Sequence, residues 1–366
     1  MKNRFLILLS FVLIVGRDVV CANTSMVRER ININRDWRYQ IDDPDGVGAA
    51  LHYSRLKPYL LPCANDFIIF GKRYQRPEGN PGENIAYVKS DFDDSEWRHL
   101  NLPHDWAIEG PFNIDYNGST GKLPYWGIRW YRKTLELSQD DAGKQIYLDI
   151  DGAMSYVSVW CNGQYVGGWP YGYASFRLDL TPYIKAGQKN VLAIRLDNPD
   201  DTSRWYPGSG IYRNVWLVKT SPVHVEQWGT FVRNQQVDSE IAVMEMGVNI
   251  ENHAGKDVQV KLQTSVYLQG KDGRPVGEEV AQSMAKNIAI KKDSWSSARF
   301  QFKINKPKLW DIDTPNCYVA VSRVFIDGKE MDSYETPFGI RTIEFTHDQG
   351  FMLNGQKVAI KGVCMP

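Results

Sequence analysis

Short runs in which apolar and polar residues alternate, each closed by Gly, Asn, Asp or Pro, recur along nearly the whole chain. "KQIYLDIDG" at 144–152, "SYVSVWCNGQYVGGW" at 155–169, "NVLAIRLDN" at 190–198 and "IYRNVWLVK" at 211–219 are examples. A period of two with β-branched and aromatic enrichment marks half-buried strands. No helical stripe runs longer than about three turns. The pattern therefore predicts an all-β chain of antiparallel sandwiches. Asn162-Gly163 and Asn354-Gly355 carry the residue pair that a two-residue type I′ hairpin turn needs.

The first sandwich is expected over 29–220, and the long Pro- and Gly-rich stretch at 43–90 reads as an insertion. A second stretch, 222–338, is expected to hold seven or so short strands, the pattern of an immunoglobulin-like sandwich. The Cys…Trp…Cys spacing of antibody domains is absent from it, so that expectation rests on alternation and length. From Gly339 the pattern changes into a terminal hairpin. Phe351 and Leu353 lead into its turn, and Val358 and Ile360 lead out. An isolated hairpin is marginally stable in water, so this one must pack on what precedes it or lead into something larger.

Forty-three Lys and Arg balance forty-three Asp and Glu, which leaves no electrostatic footprint for nucleic acid. Residues 1–22 have the design of an export signal. Lys2 and Arg4 precede an apolar run from Phe5 to Gly16, too short for a membrane span, and Val20-Cys21-Ala22 resembles a cleavage site. The expected location is periplasmic or extracellular. Removal of the signal leaves Cys63, Cys161, Cys317 and Cys364, with three possible full pairings that sequence does not choose among. Cys161 occupies an apolar slot after Val157 and Val159, which favours a buried free thiol.

Three polar stretches carry candidate chemistry. "LPHDW" sets His104 beside Asp105, but neighbours on an extended chain face opposite ways, so a structural role is expected. "DDPDG" at 42–46 has Ile41 and His52 where a calcium loop needs acids. "DNPDDTSRWYPGSGIYRNVW" joins Asp197, Asn198, Asp200, Asp201 and Arg204 to Trp205-Tyr206. Such a loop can hydrogen-bond sugar hydroxyls while a ring stacks on the C–H face, or it can cap the sandwich with its own ion pairs. In "GGWPYGYASF", Trp169 and Tyr171 are expected to pack on the sandwich end. No nucleotide, zinc-protease or serine-hydrolase motif is present, and no metal or cofactor is expected.

An ordered set of stretches resembles glycoside hydrolase family 2, the β-galactosidase-like group. They are "LNLPHDWAIEGPF", "GIRWYRKTLEL", "DGAMSYVSVWCNGQYVGGWPYGYASFRLDLTPYI", "NVLAIRLDN", "SRWYPGSGIYRNVWL", "FGIRTIEF" and "GFMLNGQKVAIKGVC". The resemblance implies a galactose-binding-like jelly-roll sandwich, an immunoglobulin-like sandwich and then a (β/α)₈ barrel. "KGVCMP" resembles the first barrel strand, so 339–366 is expected to be the truncated start of that barrel. The family's two catalytic glutamates belong to the barrel, and no Glu of this chain matches either, so no catalytic residue is assigned. The resemblance places Asp197, Asn198, Arg204, Trp205 and Tyr206 against a β-galactoside, with β-glucuronide and β-mannoside as further candidates. A free-standing lectin or a scaffold without a sugar site is the alternative.

Overall fold

The computed structural model describes residues 27–67, 72–118, 121–200 and 208–363. The export-signal segment, Arg204, Trp205, Tyr206 and Cys364 lie outside the described residues. The fold is all-β, as the alternation predicts.

Ten strands build the first sandwich: β1 (Glu29–Asn32), β2 (Trp37–Ile41), β3 (Arg98–Leu100), β4 (Gly127–Glu136), β5 (Gln145–Ile150), β6 (Val157–Cys161), β7 (Gln164–Trp169), β8 (Phe176–Asp179), β9 (Lys189–Asn198) and β10 (Val215–Thr220). They form a four-stranded sheet, β1-β10-β5-β8, and a six-stranded sheet, β3-β2-β4-β9-β6-β7. The facing sides interdigitate through Trp37, Tyr131, Leu148, Ile150, Val157, Val159, Leu192 and Ile194. Cys161 joins this core as a free thiol, with burial pushing it up to about 12. Asn162 and Gly163 both have positive φ, 52° and 79°, and turn β6 into β7.

The stretch at 43–90 is more than an insertion. With Trp97 it forms a third layer over the outer side of the six-stranded sheet. One helix, α1 (Tyr53–Leu60), and several short 3₁₀ turns place Leu51, Leu56, Leu60, Ile85 and Val88 on Trp130, Trp160, Tyr165 and Ala193. Strand β6 therefore buries every residue, with Val157, Val159 and Cys161 inward and Trp160 outward. Two arginines on the outer side are nearly inaccessible and are tied into the covering layer. Arg195 makes a bidentate pair with Asp43 at 2.8 Å for both bonds, and Arg132 Nε donates to Asp94 at 2.7 Å. Asp43 also accepts from Trp130 Nε1 at 2.8 Å, which gives the "DDPDG" stretch its structural role.

The second sandwich contains β11 (Val223–Val237), β12 (Ile241–Asn252), β13 (Val258–Gln269), β14 (Pro275–Gln282), β15 (Lys286–Ile290), β16 (Ser294–Asn305), β17 (Tyr318–Ile326) and β18 (Lys329–Phe338). One sheet is β11-β12-β16; the other is β14-β13-β17-β18, with β15 also on β13. Its strands are long rather than short: β11 has 15 residues and β12, β13 and β16 have 12 each. A bulge in β11 between Val225 and Thr230, where Trp228 has φ 56°, interrupts its pairing with β12, whereas β12 pairs with β16 along its whole length without a break. In β16, Ala298, Phe300, Phe302 and Ile304 alternate with exposed residues.

Strands β19 (Ile343–Thr346), β20 (Gly350–Leu353) and β21 (Gln356–Lys357) form a small antiparallel sheet. The terminal hairpin is thus not isolated: β20 pairs with β19 on its other side. Asn354 and Gly355 have φ 51° and 75°, and Asn354 Nδ2 donates to Trp310 O at 3.0 Å. That bond ties the turn to the second sandwich. The outgoing strand is only two residues long, and Ile360 is exposed.

Candidate functional site

The loop that leaves β9 and returns to β10 is held at both ends by one side chain. Asn198, at the end of β9, is 2 % exposed. Its Nδ2 donates to Tyr125 O at 2.8 Å and lies 3.1 Å from both Gly208 O and Ser209 Oγ. Its Oδ1 accepts from Ser155 Oγ at 3.1 Å. Asn198 therefore closes the neck of the loop, with its amide committed inside the protein. Asp197 points the other way, as alternation along a strand requires, and receives Arg195 Nη1 at 3.3 Å with its side chain 23 % exposed. Asp200 accepts from the Tyr125 hydroxyl at 2.7 Å.

Asp105 completes the frame. Its Oδ1 accepts from Ala107 N at 2.9 Å and Ser209 N at 3.0 Å. Burial pushes its carboxyl up, although those two N–H groups pull the other way. His104 faces elsewhere, towards the Tyr131 hydroxyl at 2.7 Å and Glu109 at 3.2 Å. Burial pushes its imidazole down, against the upward pull of Glu109. The two neighbours serve separate networks, as their adjacency predicts. Gly210 (φ 80°) passes so close beneath them that a Cβ would lie 2.3 Å from His104 O; only glycine fits.

Beside this frame lies the "GGWPYGYASF" loop. Trp169 turns inward and stacks on Phe176, with centroids 6.1 Å apart. Tyr171 departs from the expected packing: it is 60 % exposed and forms a pair with the exposed Tyr173, centroids 5.6 Å apart. The Tyr212 hydroxyl donates to Gly172 O at 2.7 Å, and Met154 pairs with Gly210 through backbone bonds of 2.9 and 3.2 Å. These contacts join the aromatic loop to the foot of the 197–210 loop.

Asp105 is engaged by backbone N–H groups, Asp197 by Arg195 and Asp200 by the Tyr125 hydroxyl. The arrangement is a hydrogen-bonded frame that joins residue 198 to residues 208 and 209 and sits beside exposed aromatic faces. Sequence reasoning singled out Asn198 as a ligand contact and missed its role as a clamp. The signal that could have revealed the clamp was its position at the last inward slot of "NVLAIRLDN".

Two family models match the chain. "Glycosyl hydrolases family 2, sugar binding domain" covers residues 87–221, and "Glycosyl hydrolases family 2" covers residues 223–341. The chain is 40 % identical over 350 residues to the β-galactosidase BoGH2A of Bacteroides ovatus, a match that takes in 94 % of this chain and 36 % of that protein. It is 34 % identical over 309 residues to a putative β-glucuronidase of Formosa agariphila, covering 81 % and 28 % of the two chains. Among solved structures, a family 2 member from Bacteroides cellulosilyticus superposes with a TM-score of 0.75 at 28 % identity, over 92 % of this chain and 38 % of that one. A β-glycosidase from Bacteroides vulgatus does so with 0.69 at 32 %, over 92 % and 37 %. The chain spans about a third of the length of the curated relatives it matches. With the sugar-binding model ending where the second sandwich begins, and both sandwiches shared with these structures, the chain belongs to glycosyl hydrolase family 2.

Proposed function

We propose that this chain is the sugar-binding and immunoglobulin-like part of an exported enzyme that removes terminal β-galactosides with retention of configuration. The observation that carries the reading is the 40 % identity to a β-galactosidase along 94 % of the chain. Retaining hydrolysis needs two carboxyl groups about 5–5.5 Å apart across the scissile bond. In this proposal both are glutamates of a barrel domain outside residues 1–366. In the same proposal Asp197 supplies an acceptor, and Arg204, Trp205 and Tyr206 contribute a donor and stacking faces to the non-reducing sugar.

The test is hydrolysis of aryl β-galactosides and aryl β-glucuronides by the purified 366-residue chain and by the same chain joined to a family 2 barrel. The chain alone is expected to be inactive, and the joined protein to prefer the galactoside. Turnover by the chain alone, or a preference for the glucuronide, overturns the proposal. The exposed Tyr171–Tyr173 pair favours a second reading, a free-standing lectin. In this proposal the sandwich loop supplies one wall of the pocket, and one wall buries far less than the 70–90 % of ligand surface usual in a working site, so the 366-residue chain should bind galactose no more tightly than about 1 mM, about −4 kcal/mol. A micromolar constant in titration calorimetry would put the lectin first.

A further inference from the structure

Where the first sandwich hands over to the second, three metal-competent side chains converge on one point. His224 on β11 and Glu251 on β12 are direct cross-strand partners, and such pairs hold their Cβ atoms about 4.5–5.5 Å apart. His253 follows Glu251 by two residues, on the same side of the chain. His224 Nε2 lies 3.3 Å and His253 Nε2 lies 3.4 Å from the same oxygen, Glu251 Oε2, and the three ligand atoms all fall within 4.8 Å of one another. A tetrahedral ion with bonds of about 2.0–2.1 Å has ligand–ligand edges of about 3.3 Å. Two of the three edges already have that length.

The support around these atoms is also in place. The His224 ring is fully buried, and its Nδ1 lies 2.9 Å from Ser221 O. That carbonyl takes the Nδ1–H and leaves the Nε2 lone pair facing Glu251, the outer-shell contact that orients metal-binding imidazoles. Asn252, between the other two ligands, is buried on the opposite side, where Nδ2 donates to Lys256 O at 2.8 Å and Lys291 O at 3.0 Å. His253 N donates to Pro222 O at 2.8 Å. The backbone of the site is therefore fixed to the linker between the sandwiches. The Tyr147 hydroxyl of β5, 3.3 Å from His224 Nε2, brings the first sandwich to the same point. His253 is 41 % exposed, which leaves an entry for an ion and for a water as fourth ligand.

We propose that His224, Glu251 and His253 form a site for a borderline transition-metal cation, zinc above all, that fastens the linker between the two sandwiches. Two imidazoles and one carboxylate suit zinc and its neighbours, whereas calcium and magnesium prefer oxygen ligands. The site departs from the sequence-based expectation of no metal.

The probe is Co²⁺, titrated into the full 366-residue chain after chelator treatment, with Zn²⁺ as competitor. Visible ligand-field bands of a four-coordinate ion are expected at one Co²⁺ per chain and should disappear on adding Zn²⁺. His253→Ala changes an exposed side chain and Glu251→Gln keeps its shape; each should weaken Co²⁺ binding more than about 10-fold. Zn²⁺ should raise the unfolding temperature of the parent chain but not that of His253→Ala, whose metal-free unfolding temperature serves as the folding control. Absence of the bands, or bands that persist at equal affinity in both variants, overturns the proposal.

Discussion

Asn198 and Asp141 show how much depends on single polar residues. A buried amide that loses its partners leaves donors and acceptors unsatisfied at about 1–3 kcal/mol. Asn198→Ala should therefore destabilise the first sandwich by about that amount in urea unfolding. If Asn198 served only as a ligand contact, stability would not move. Asp141, 2 % exposed, receives Lys219 Nζ at 2.7 Å and Lys144 Nζ at 3.0 Å. Burial alone would push its carboxyl up, but the two ammonium groups outweigh it and the net shift is down. A depressed folded value means that the stabilisation is present above the unfolded carboxylate value, about 3.9, and is lost as the pH falls below it. Asp141→Asn should be less stable than the parent at neutral pH by about 3–5 kcal/mol, the usual cost of breaking a buried pair. That gap should shrink steadily in melts taken below about pH 4.

At the level of elements, legibility followed the number of faces an element buries. Strand β16 has one buried face, and its "SSARFQFKI" alternation is visible in the sequence. The turns at Asn162-Gly163 and Asn354-Gly355 were equally plain, because few residue pairs accept positive φ twice. The third layer was not legible. Trp130, Arg132, Trp160 and Arg195 are buried on the outer side of the six-stranded sheet, and two buried sides erase the polar half of the alternation. The partners of the two arginines, Asp94 and Asp43, lie 38 and 152 residues away, beyond any local pattern. The metal-competent trio escaped for the same reason: His224 meets Glu251 only through strand pairing. Beneath the third layer, Trp160 stacks on Trp130 with centroids 5.4 Å apart and donates Nε1–H to Pro81 O at 2.7 Å. Trp160→Ala should cost about 3–5 kcal/mol. Hydrogen exchange should then rise first across 47–88, since the helix and turns there lose their floor; faster exchange confined to β6 would contradict the layer's dependence on the sheet.

The whole molecule depends on how the two sandwiches are coupled. Arg28, just before β1, reaches across to β18 of the second sandwich. Its Nε donates to Asp332 Oδ1 at 2.9 Å and its Nη2 to Asp332 Oδ2 at 2.8 Å and Val225 O at 2.6 Å. Asp332 is fully buried and also accepts from Val225 N at 2.7 Å. The guanidinium lies 4.8 Å from the Tyr334 ring centroid. Replacing Asp332 by Asn keeps the shape but leaves Arg28 without its counter-charge, and breaking such a buried pair costs about 3–5 kcal/mol. The ion pair itself spans the junction, since Arg28 precedes β1 and Asp332 lies on β18, and an Asn at 332 keeps an oxygen to accept from Val225 N. Two domains that share an interface unfold together only while the interface free energy is large compared with the difference in their own stabilities. Nine of the twelve tryptophans lie between residues 29 and 220, so fluorescence reports mainly the first sandwich, while exchange at Val248, Ala298 and Phe302 reports the second. In the parent chain both signals should change at one urea concentration. In Asp332→Asn they should separate into two transitions, with the slope of each smaller than the parent's because each exposes less surface. A single transition with an unchanged slope in the variant would mean that the sandwiches are held together by something other than the Arg28–Asp332 pair.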